Sequence, residues 1–530
     1  MKTQDNSQLL QLPVVRVSGT YIGWAALVGV VALCAWSRDL LVDQAQLMTN
    51  AAQFLDGRTL YTVLPDTHLP VTAFLYSIPV ILARFGNLPP ILAFNIFVSC
   101  LTALSALAAT RLVAGRYRPG LAAVLASIAF LGQNDALFGQ RESLFQTVWL
   151  SYLVARLNPP REAPILALVV GLTAGLMTAV KPQFLAYALV NEALLLWWTR
   201  SLRHPALISA AVAGTSVILL LFTCFDWRSY LNVLQFAAAY YRIVGQPAST
   251  VLADMGRSPS LQAAAGLIAA CLVWWAWQRR LPRLAILLMA TALVTVPLTV
   301  QQGEARSYYF IGITLPALML GAMVAAEAAG GWIAPGGEIG RGQRSSWSRA
   351  GLGRLTVCAI VVVTEIWVMS GPDVGVAAQA WERVSNGEPV ALFGPPAADP
   401  LVTDWERRSR PGETFAILDA QYGSTAFDPI VSAIRLRQTI YSRYNGTELA
   451  FLFALADGDR QRLRLACDNI ASDLAFAHAT WLYVRRDVPP WAKPGDFDDQ
   501  LHAVPQCATA IDRNYREAGQ FDRYVVYRRR

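Results

Sequence analysis

A polar stretch, residues 38–70, collects acids and bases directly after the apolar run Gly19–Trp36. Its ionisable residues are Arg38, Asp39, Asp43, Asp56, Arg58, Asp66 and His68. The apolar run is long enough to cross a bilayer. A carboxylate beside hydrocarbon is costly unless it is paired or has a function, so this stretch is a candidate functional loop. The alternative is that these acids only solvate a loop between helices.

The order of residues in this loop is specific. Asp43 is followed by a helical stretch, Ala45–Leu55, which Asp56-Gly57 interrupts. Tyr61 comes four residues after Gly57, and Pro70 closes the loop.

A second polar cluster, Gln133–Glu142, interrupts two apolar runs. Arg141 can form a buried pair with Glu142, or its guanidinium can hold a phosphate oxygen. A polar turn at a helix end is the alternative interpretation.

Two further features contain cations. The chain has only three lysines, Lys2, Lys181 and Lys493, and Lys181-Pro182 lies between two long apolar runs. A lysine there needs an anion or a carbonyl as partner, or else it extends its ammonium group to the membrane surface. The run Gln301–Tyr309 contains Arg306, and a guanidinium binds phosphate in a bidentate manner.

The loop 38–70 resembles the first extracytoplasmic loop of the GT-C superfamily of integral-membrane glycosyltransferases. Those enzymes use lipid-phosphate sugars and include protein mannosyltransferases and lipid A aminoarabinosyltransferases. Their pattern of an acid, a glycine, an aromatic residue and an acid before proline corresponds here to Asp43, Gly57, Tyr61, Asp66 and Pro70. The resemblance implies that Asp43 is the active-site carboxylate.

The second cluster resembles the second loop of one bacterial GT-C branch. Phe138–Glu142 reads FGQRE, as is typical of that branch, but Ser143 replaces the histidine that usually follows. The further acid that other GT-C enzymes supply from this loop corresponds to Asp135 or Glu142, and the sequence does not choose between them.

The resemblance extends to the two cationic features. The same branch has a Lys-Pro at the position of Lys181-Pro182, which implies contact with the lipid phosphate. In the run after residue 300, Gln302 and Tyr308 are kept. The departures from the branch pattern are Glu304, Arg306 and Tyr309.

The resemblance implies transfer of a sugar from a polyprenyl-phosphate donor to a glycan, lipid or protein acceptor. Asp43 would activate the acceptor hydroxyl as a base or orienting carboxylate. The cations that would stabilise the departing phosphate are Lys181, Arg306 and Arg141. No metal ligands are assigned, and the sequence leaves a divalent metal open because protein cations can replace it.

Two other classes compete with the enzyme. A membrane transporter or lipid flippase would also place charges at membrane depth, but no internal repeat or matched pair of broken helices is visible in the sequence. If the protein were instead a structural partner in an envelope complex, the acids would have no chemical role.

Composition requires a membrane. The chain has 530 residues, of which 55% are hydrophobic, and this is more apolar surface than a soluble domain hides. We predict about 11–12 helices in an all-α domain, residues 1–371. The candidate spans are Gly19–Trp36, Ile91–Thr110, Leu121–Leu131, Leu144–Ala155, Pro164–Val180, Gln183–Trp198, Pro205–Cys224, Leu261–Trp277, Leu284–Val300, Tyr308–Ala326 and Leu355–Met369.

Basic residues predict the orientation in a bacterial cytoplasmic membrane. Lys2 and Arg16 hold the N-terminus in the cytoplasm, and arginine clusters at 200–203, 279–283 and 341–354 mark cytoplasmic loops. Residues 38–70, 226–260 and everything after 372 then face outside. The net charge of +8 fits loop topology and anionic lipid, and no basic tract for nucleic acid is present.

This orientation leaves one helix too many. If Val71–Phe85 crossed the membrane, the arginines at 111–118 would lie outside. Either Val71–Phe85 lies at the interface or re-enters, or Leu144–Ala155 is not a span.

The composition changes after residue 372. Residues 372–530 contain strand-like runs at Thr414–Leu418, Trp481–Val484 and Tyr524–Tyr527, and helix-like runs at Leu449–Leu455 and Asp459–Leu474. We predict an extracytoplasmic α/β domain. Cys467 and Cys507 can form a disulfide there.

Overall fold

The computed structural model of the chain describes residues 40, 42–61, 69–113, 139–157, 164–199, 208, 210–212, 214–215, 227–303, 305–330, 400–419, 429–441, 460–488 and 495–530. These residues form a helical domain, up to residue 330, and a C-terminal α/β domain from residue 400. The predicted boundary at 371–372 lies outside the described residues.

The helical domain begins in the first candidate loop. Its helices are α1 (Val42–Leu55), α2 (Pro70–Phe85), α3 (Pro90–Val113), α4 (Arg141–Leu157), α5 (Pro164–Thr178), α6 (Phe184–Thr199), α7 (Trp227–Val244), α8 (Ala248–Arg257), α9 (Pro259–Trp277), α10 (Arg283–Gln302) and α11 (Ile311–Gly330). A 3₁₀ helix, Ser307–Phe310, precedes α11.

Apolar composition and exposed apolar side chains characterise this domain. In the described residues, α9 and α10 are long and apolar enough to cross a membrane, and five shorter apolar helices accompany them. Large apolar side chains such as Leu293, Val273 and Trp277 lie about 70% exposed. The candidate spans at 19–36, 121–131, 205–224 and 355–369 lie wholly or mostly outside the described residues.

Helix α4 forms the centre of the helical domain. Every side chain from Arg141 to Arg156 is buried. The helix packs against α3, α5, α10 and α11. A segment enclosed in this way is a core helix of the domain.

Helix α2 packs against α1 and α3 and is hydrogen-bonded to other elements near both of its ends. Near its start, Thr72 Oγ1 donates to the Val180 carbonyl at 2.7 Å. Just past its end, Arg437 of the C-terminal domain donates to Asn87 Oδ1 at 2.7 Å. Between these points, Tyr76 bonds to Gly139, which precedes α4. Helix α2 is thus bonded to the turn between α5 and α6 near its start and to the C-terminal domain just past its end.

Two helices replace a predicted loop. Residues 226–260 were expected to be an outer loop, and most of them form α7 and α8. Tyr230 of α7 packs edge-on against Tyr61, with ring centroids 4.8 Å apart. The helical structure adds to the prediction, which concerned only the side of the membrane on which these residues lie; Tyr230 and Val233 pack with Leu60 and Tyr61, whereas Trp227 and Leu231 are exposed.

The C-terminal domain contains α12 (Pro400–Arg408), β1 (Phe415–Leu418), α13 (Pro429–Arg435), α14 (Arg460–Ala477), β2 (Trp481–Arg485), α15 (Phe497–His502), α16 (Pro505–Asn514), β3 (Tyr515–Phe521) and β4 (Tyr524–Arg529). The strands form one sheet in the order β1-β2-β4-β3, with β1 and β2 parallel and the other pairs antiparallel. The three predicted strands are present. Strand β3 was missed because it is an edge strand with mostly exposed polar residues.

A disulfide joins two helices of this domain. Cys467 of α14 and Cys507 of α16 are bonded, with Cα atoms 4.7 Å apart, and both side chains are fully buried. The predicted pairing is confirmed. It fixes α14 against the rest of the domain.

Candidate functional site

Asp43 lies in the first turn of α1 and is half-buried. Its carboxylate lies within electrostatic range of both Lys181 and Tyr76. A carboxylate is favoured in the first turn of a helix, where the backbone N–H groups carry partial positive charge. The loop acid singled out by sequence and the Lys-Pro lysine are therefore near enough for their charges to interact.

Lys181 joins three of the four sequence motifs. It lies in the turn between α5 and α6, and its Nζ atom donates to Glu142 Oε1 and Gln302 Oε1, both at 2.7 Å. The ammonium group also lies 4.9 Å from the centroid of the Tyr309 ring. The side chain is only 10% exposed. The lysine is thus held by residues from the second loop and from the run after residue 300.

Arg141 and Glu142 occupy the first turn of α4, and both are buried. Arg141 lies within electrostatic range of Lys181 and Tyr76. Glu142 Oε1 accepts from Lys181, while Oε2 accepts no hydrogen bond from the residues that the structure describes. Together with Asp43 and Lys181 they form a group of two acids and two cations, which we call the charged cluster.

Helix α2 holds the backbone around the charged cluster. Tyr76 is fully buried and donates to the Gly139 carbonyl at 2.9 Å. Gly139 has φ +71°, and a Cβ atom there would lie 2.4 Å from the Phe94 ring. Only glycine satisfies both the backbone conformation and the space. The glycine of FGQRE is therefore explained by packing rather than by chemistry.

Sequence reasoning did not select Thr72 or Tyr76. Both are buried polar side chains in a mostly apolar helix, and that contrast is the signal that could have identified them. Each hydrogen-bonds to the backbone beside a motif, Thr72 at Val180 and Tyr76 at Gly139. They position the motifs and do not belong to the charged cluster.

The remaining predicted residues lie around the charged cluster or outside the described chain. Gln302 is the last residue of α10 and bonds to Lys181. Arg306 is exposed in the turn that follows, and Tyr308 lies in the 3₁₀ helix. Tyr61 is buried with φ +66°. Asp66 and Asp135 lie outside the described residues.

The donor set for a metal is also limited to what the structure describes. Within those residues, no group of three or more His, Cys, Asp or Glu side chains is placed to hold a metal ion. Glu142 accepts a hydrogen bond from Lys181 through Oε1.

Comparison with solved structures identifies the fold. The chain superposes on ArnT from Cupriavidus metallidurans bound to undecaprenyl phosphate with a TM-score of 0.52 and 14% identity, covering 96% of this chain and 98% of that one. ArnT in the apo state gives a TM-score of 0.48 at the same coverage. The arabinofuranosyltransferase AftD from Mycobacteria gives 0.45 and is covered over 40% of its length.

By sequence, the chain matches no protein-family model and no curated protein. The fold likeness to ArnT covers nearly the whole of both chains, including the helical and the C-terminal domains. The chain therefore has the fold of the ArnT structure.

Proposed function

We propose that this protein transfers a sugar from a polyprenyl-phosphate-linked donor to an envelope acceptor at the outer face of the cytoplasmic membrane. The observation that supports this most directly is the charged cluster. Motifs more than 100 residues apart meet there at Lys181, beside the half-buried carboxylate of Asp43. The fold agrees, since the ArnT structure with this fold is described as bound to undecaprenyl phosphate.

Lys181 is the phosphate ligand in this proposal. An ammonium group has three N–H donors. Among the described residues, Glu142 and Gln302 take two of them, which leaves a third to donate to a phosphate oxygen. Glu142 fixes the ammonium group and offsets the cost of its burial, while Arg141 adds a second positive charge nearby. Exposed Arg306 would meet the lipid headgroup at the rim.

Asp43 is the carboxylate that receives or orients the acceptor. It is half-buried rather than enclosed, so an acceptor hydroxyl can reach it. A base within hydrogen-bond distance of that hydroxyl would take its proton as the oxygen attacks the anomeric carbon and the phosphate departs. The nearby cations would stabilise the charge that develops on the phosphate.

The positions of basic residues at the helix ends support this orientation. The charged cluster lies at the Gln302 end of α10, whereas Arg279, Arg280 and Arg283 lie at its other end, between α9 and α10. Basic loops remain in the cytoplasm, so we place the charged cluster and the C-terminal domain outside.

The test is sugar transfer by purified protein. Wild type and Asp43→Asn would be incubated with radiolabelled polyprenyl-phosphate sugars and envelope lipid extract. Asp468→Asn, an exposed acid on α14, is the matched control. We expect transfer by wild type and the control and none by Asp43→Asn. Folded wild type that transfers no sugar from any donor would favour the transporter or flippase alternative.

A further inference from the structure

Helix α1 reaches from the charged cluster to the C-terminal domain. Asp43 lies in its first turn and Gln53 in its last, about 15 Å apart along the axis at 1.5 Å per residue. From Gln44 to Gln53, every side chain except half-buried Gln46 is buried. A helix packed on nearly all sides moves as one body, because close-packed interiors transmit displacement.

The C-terminal domain is bonded to the C-terminal end of α1. Gln53 donates from its amide to the Ile440 carbonyl. Arg58, just after the helix, donates to Gln53 Oε1 at 3.0 Å and also bonds to the Tyr441 carbonyl. Its guanidinium group forms an ion pair with Asp473 and lies 5.0 Å from the centroid of the Phe476 ring.

At this junction, the buried guanidinium group of Arg58 has its counter-ion, Asp473, in the other domain. The side chains of Arg58 and Asp473 are 5% and 4% exposed. A buried guanidinium needs its counter-ion, so the conformation of Arg58 depends on the docked C-terminal domain. Since Arg58 bonds to Gln53, the end of α1 depends on it as well.

A second contact between the domains does not involve α1. Arg437 bonds to Asn87 at the turn between α2 and α3, and both side chains bond at the exposed surface. This contact allows docking of the C-terminal domain to be separated from its effect on α1.

We propose that Arg58 is a positioning residue, through which the C-terminal domain sets the position of α1 and hence of the Asp43 carboxylate. What Asp43 does once positioned rests on the proposed function, whereas the mechanical link from Arg58 to Asp43 does not.

Hydrogen exchange tests the link without activity. Full-length wild type, Asp473→Asn and Arg437→Ala would be compared by mass spectrometry of exchanging amides. In Asp473→Asn we expect faster exchange along all of α1, including its Asp43 end, with α9 and α10 unchanged. Arg437→Ala should match wild type in α1. Faster exchange limited to residues 54–58 would overturn the proposal.

A second variant covers the case in which Asp473→Asn does not fold. Arg58→Met with Asp473→Leu removes both charges, so no buried ion is left uncompensated. It still lacks the bond from Arg58 to Gln53. We expect it to fold and to show the same faster exchange in α1; wild-type exchange there would overturn the proposal.

The effects on kcat and on the donor KM distinguish a misplaced Asp43 carboxylate from a general loss of folded protein. Misplacement of a reacting group by about 1 Å costs up to roughly 100-fold in rate, so kcat should fall by about that factor in Asp473→Asn. The donor KM should stay near the wild-type value, because Lys181, Glu142 and Gln302 are not bonded to this junction. Arg58→Lys keeps the positive charge, so its kcat should be lower than that of wild type but higher than that of Asp473→Asn.

Three outcomes decide between the proposals. A rise in donor KM with unchanged kcat, or an equal loss of kcat in Arg437→Ala, would overturn the positioning role of Arg58. If wild type transfers no sugar, the proposed function fails, and the exchange data still decide whether Arg58 is linked to Asp43.

Discussion

At the scale of single residues, the charge balance around Lys181 limits what the site can do. Its ammonium group is buried and paired with Glu142 at 2.7 Å, with side chains 10% and 7% exposed. A buried pair contributes little net stability, but removal of one partner is strongly destabilising. Stability and phosphate binding can therefore be separated by removing one charge or both.

We expect Lys181→Met to lower the free energy of unfolding by about 3–5 kcal/mol, because Glu142 is left buried without its counter-ion. Adding Glu142→Gln should recover most of that loss, while sugar transfer stays abolished. Thermal unfolding in detergent and label transfer measure the two effects. Arg84→Met breaks an exposed pair with Asp56 and is the control, with a loss of less than about 1 kcal/mol.

Two results would contradict this interpretation of Lys181. A single Lys181→Met variant as stable as wild type would show that the ion pair with Glu142 does not form. Transfer by the double variant would show that the lysine is not needed for the phosphate.

At the scale of elements, the topology depends on α2. The sequence left two solutions, an interfacial helix at 71–85 or the loss of a span at 144–155. The buried surroundings of α4 and the contacts at both ends of α2 favour the first. The exposed apolar side chains of α2, which include Phe74, Ile78 and Phe85, then lie against lipid.

Cysteine labelling tests the position of α2. Pro89 follows α2 and Gln278 follows α9, and both are exposed. In a background without the five cysteines outside the C-terminal domain, we expect Pro89→Cys to react with a membrane-impermeant maleimide on intact spheroplasts. Gln278→Cys should react only after permeabilisation. Reaction of both from one side would mean that α2 crosses the membrane.

Local patterns predicted elements and motifs better than they predicted long-range contacts. Glu142, Lys181 and Gln302 were each selected from sequence, and they meet because each lies at a helix end on the same side. The partnership of Arg58 with Asp473, 415 residues away, has no local signature. Arg58 was seen only as one charge in a loop, since the sequence does not show which surface the C-terminal domain covers.

At the scale of the whole molecule, the disulfide and the domain junction meet on one helix. α14 contains Cys467, which is bonded to Cys507, as well as Asp473 and Phe476, which contact Arg58. The disulfide therefore stabilises α14, the helix that contacts Arg58 at the end of α1. Disulfides persist outside the cytoplasm, so an intact bond would also agree with an outer location for this domain.

The last prediction concerns Cys467→Ala with Cys507→Ala. The bond closes a loop of 40 residues, and the chain-entropy relation gives about 4 kcal/mol for that length. We expect the variant to unfold its C-terminal domain at lower temperature and to exchange amides of α14 faster, while α9 and α10 keep wild-type protection. Because α14 presents Asp473, exchange in α1 should rise as well.

The presence of the disulfide is checked first, by alkylation and mass spectrometry of membranes, which should find both thiols blocked. Free thiols at both positions would show that the disulfide does not form. If the bond is present but its loss leaves α14 and α1 unchanged, the position of α1 depends on α13, which packs against it, rather than on α14.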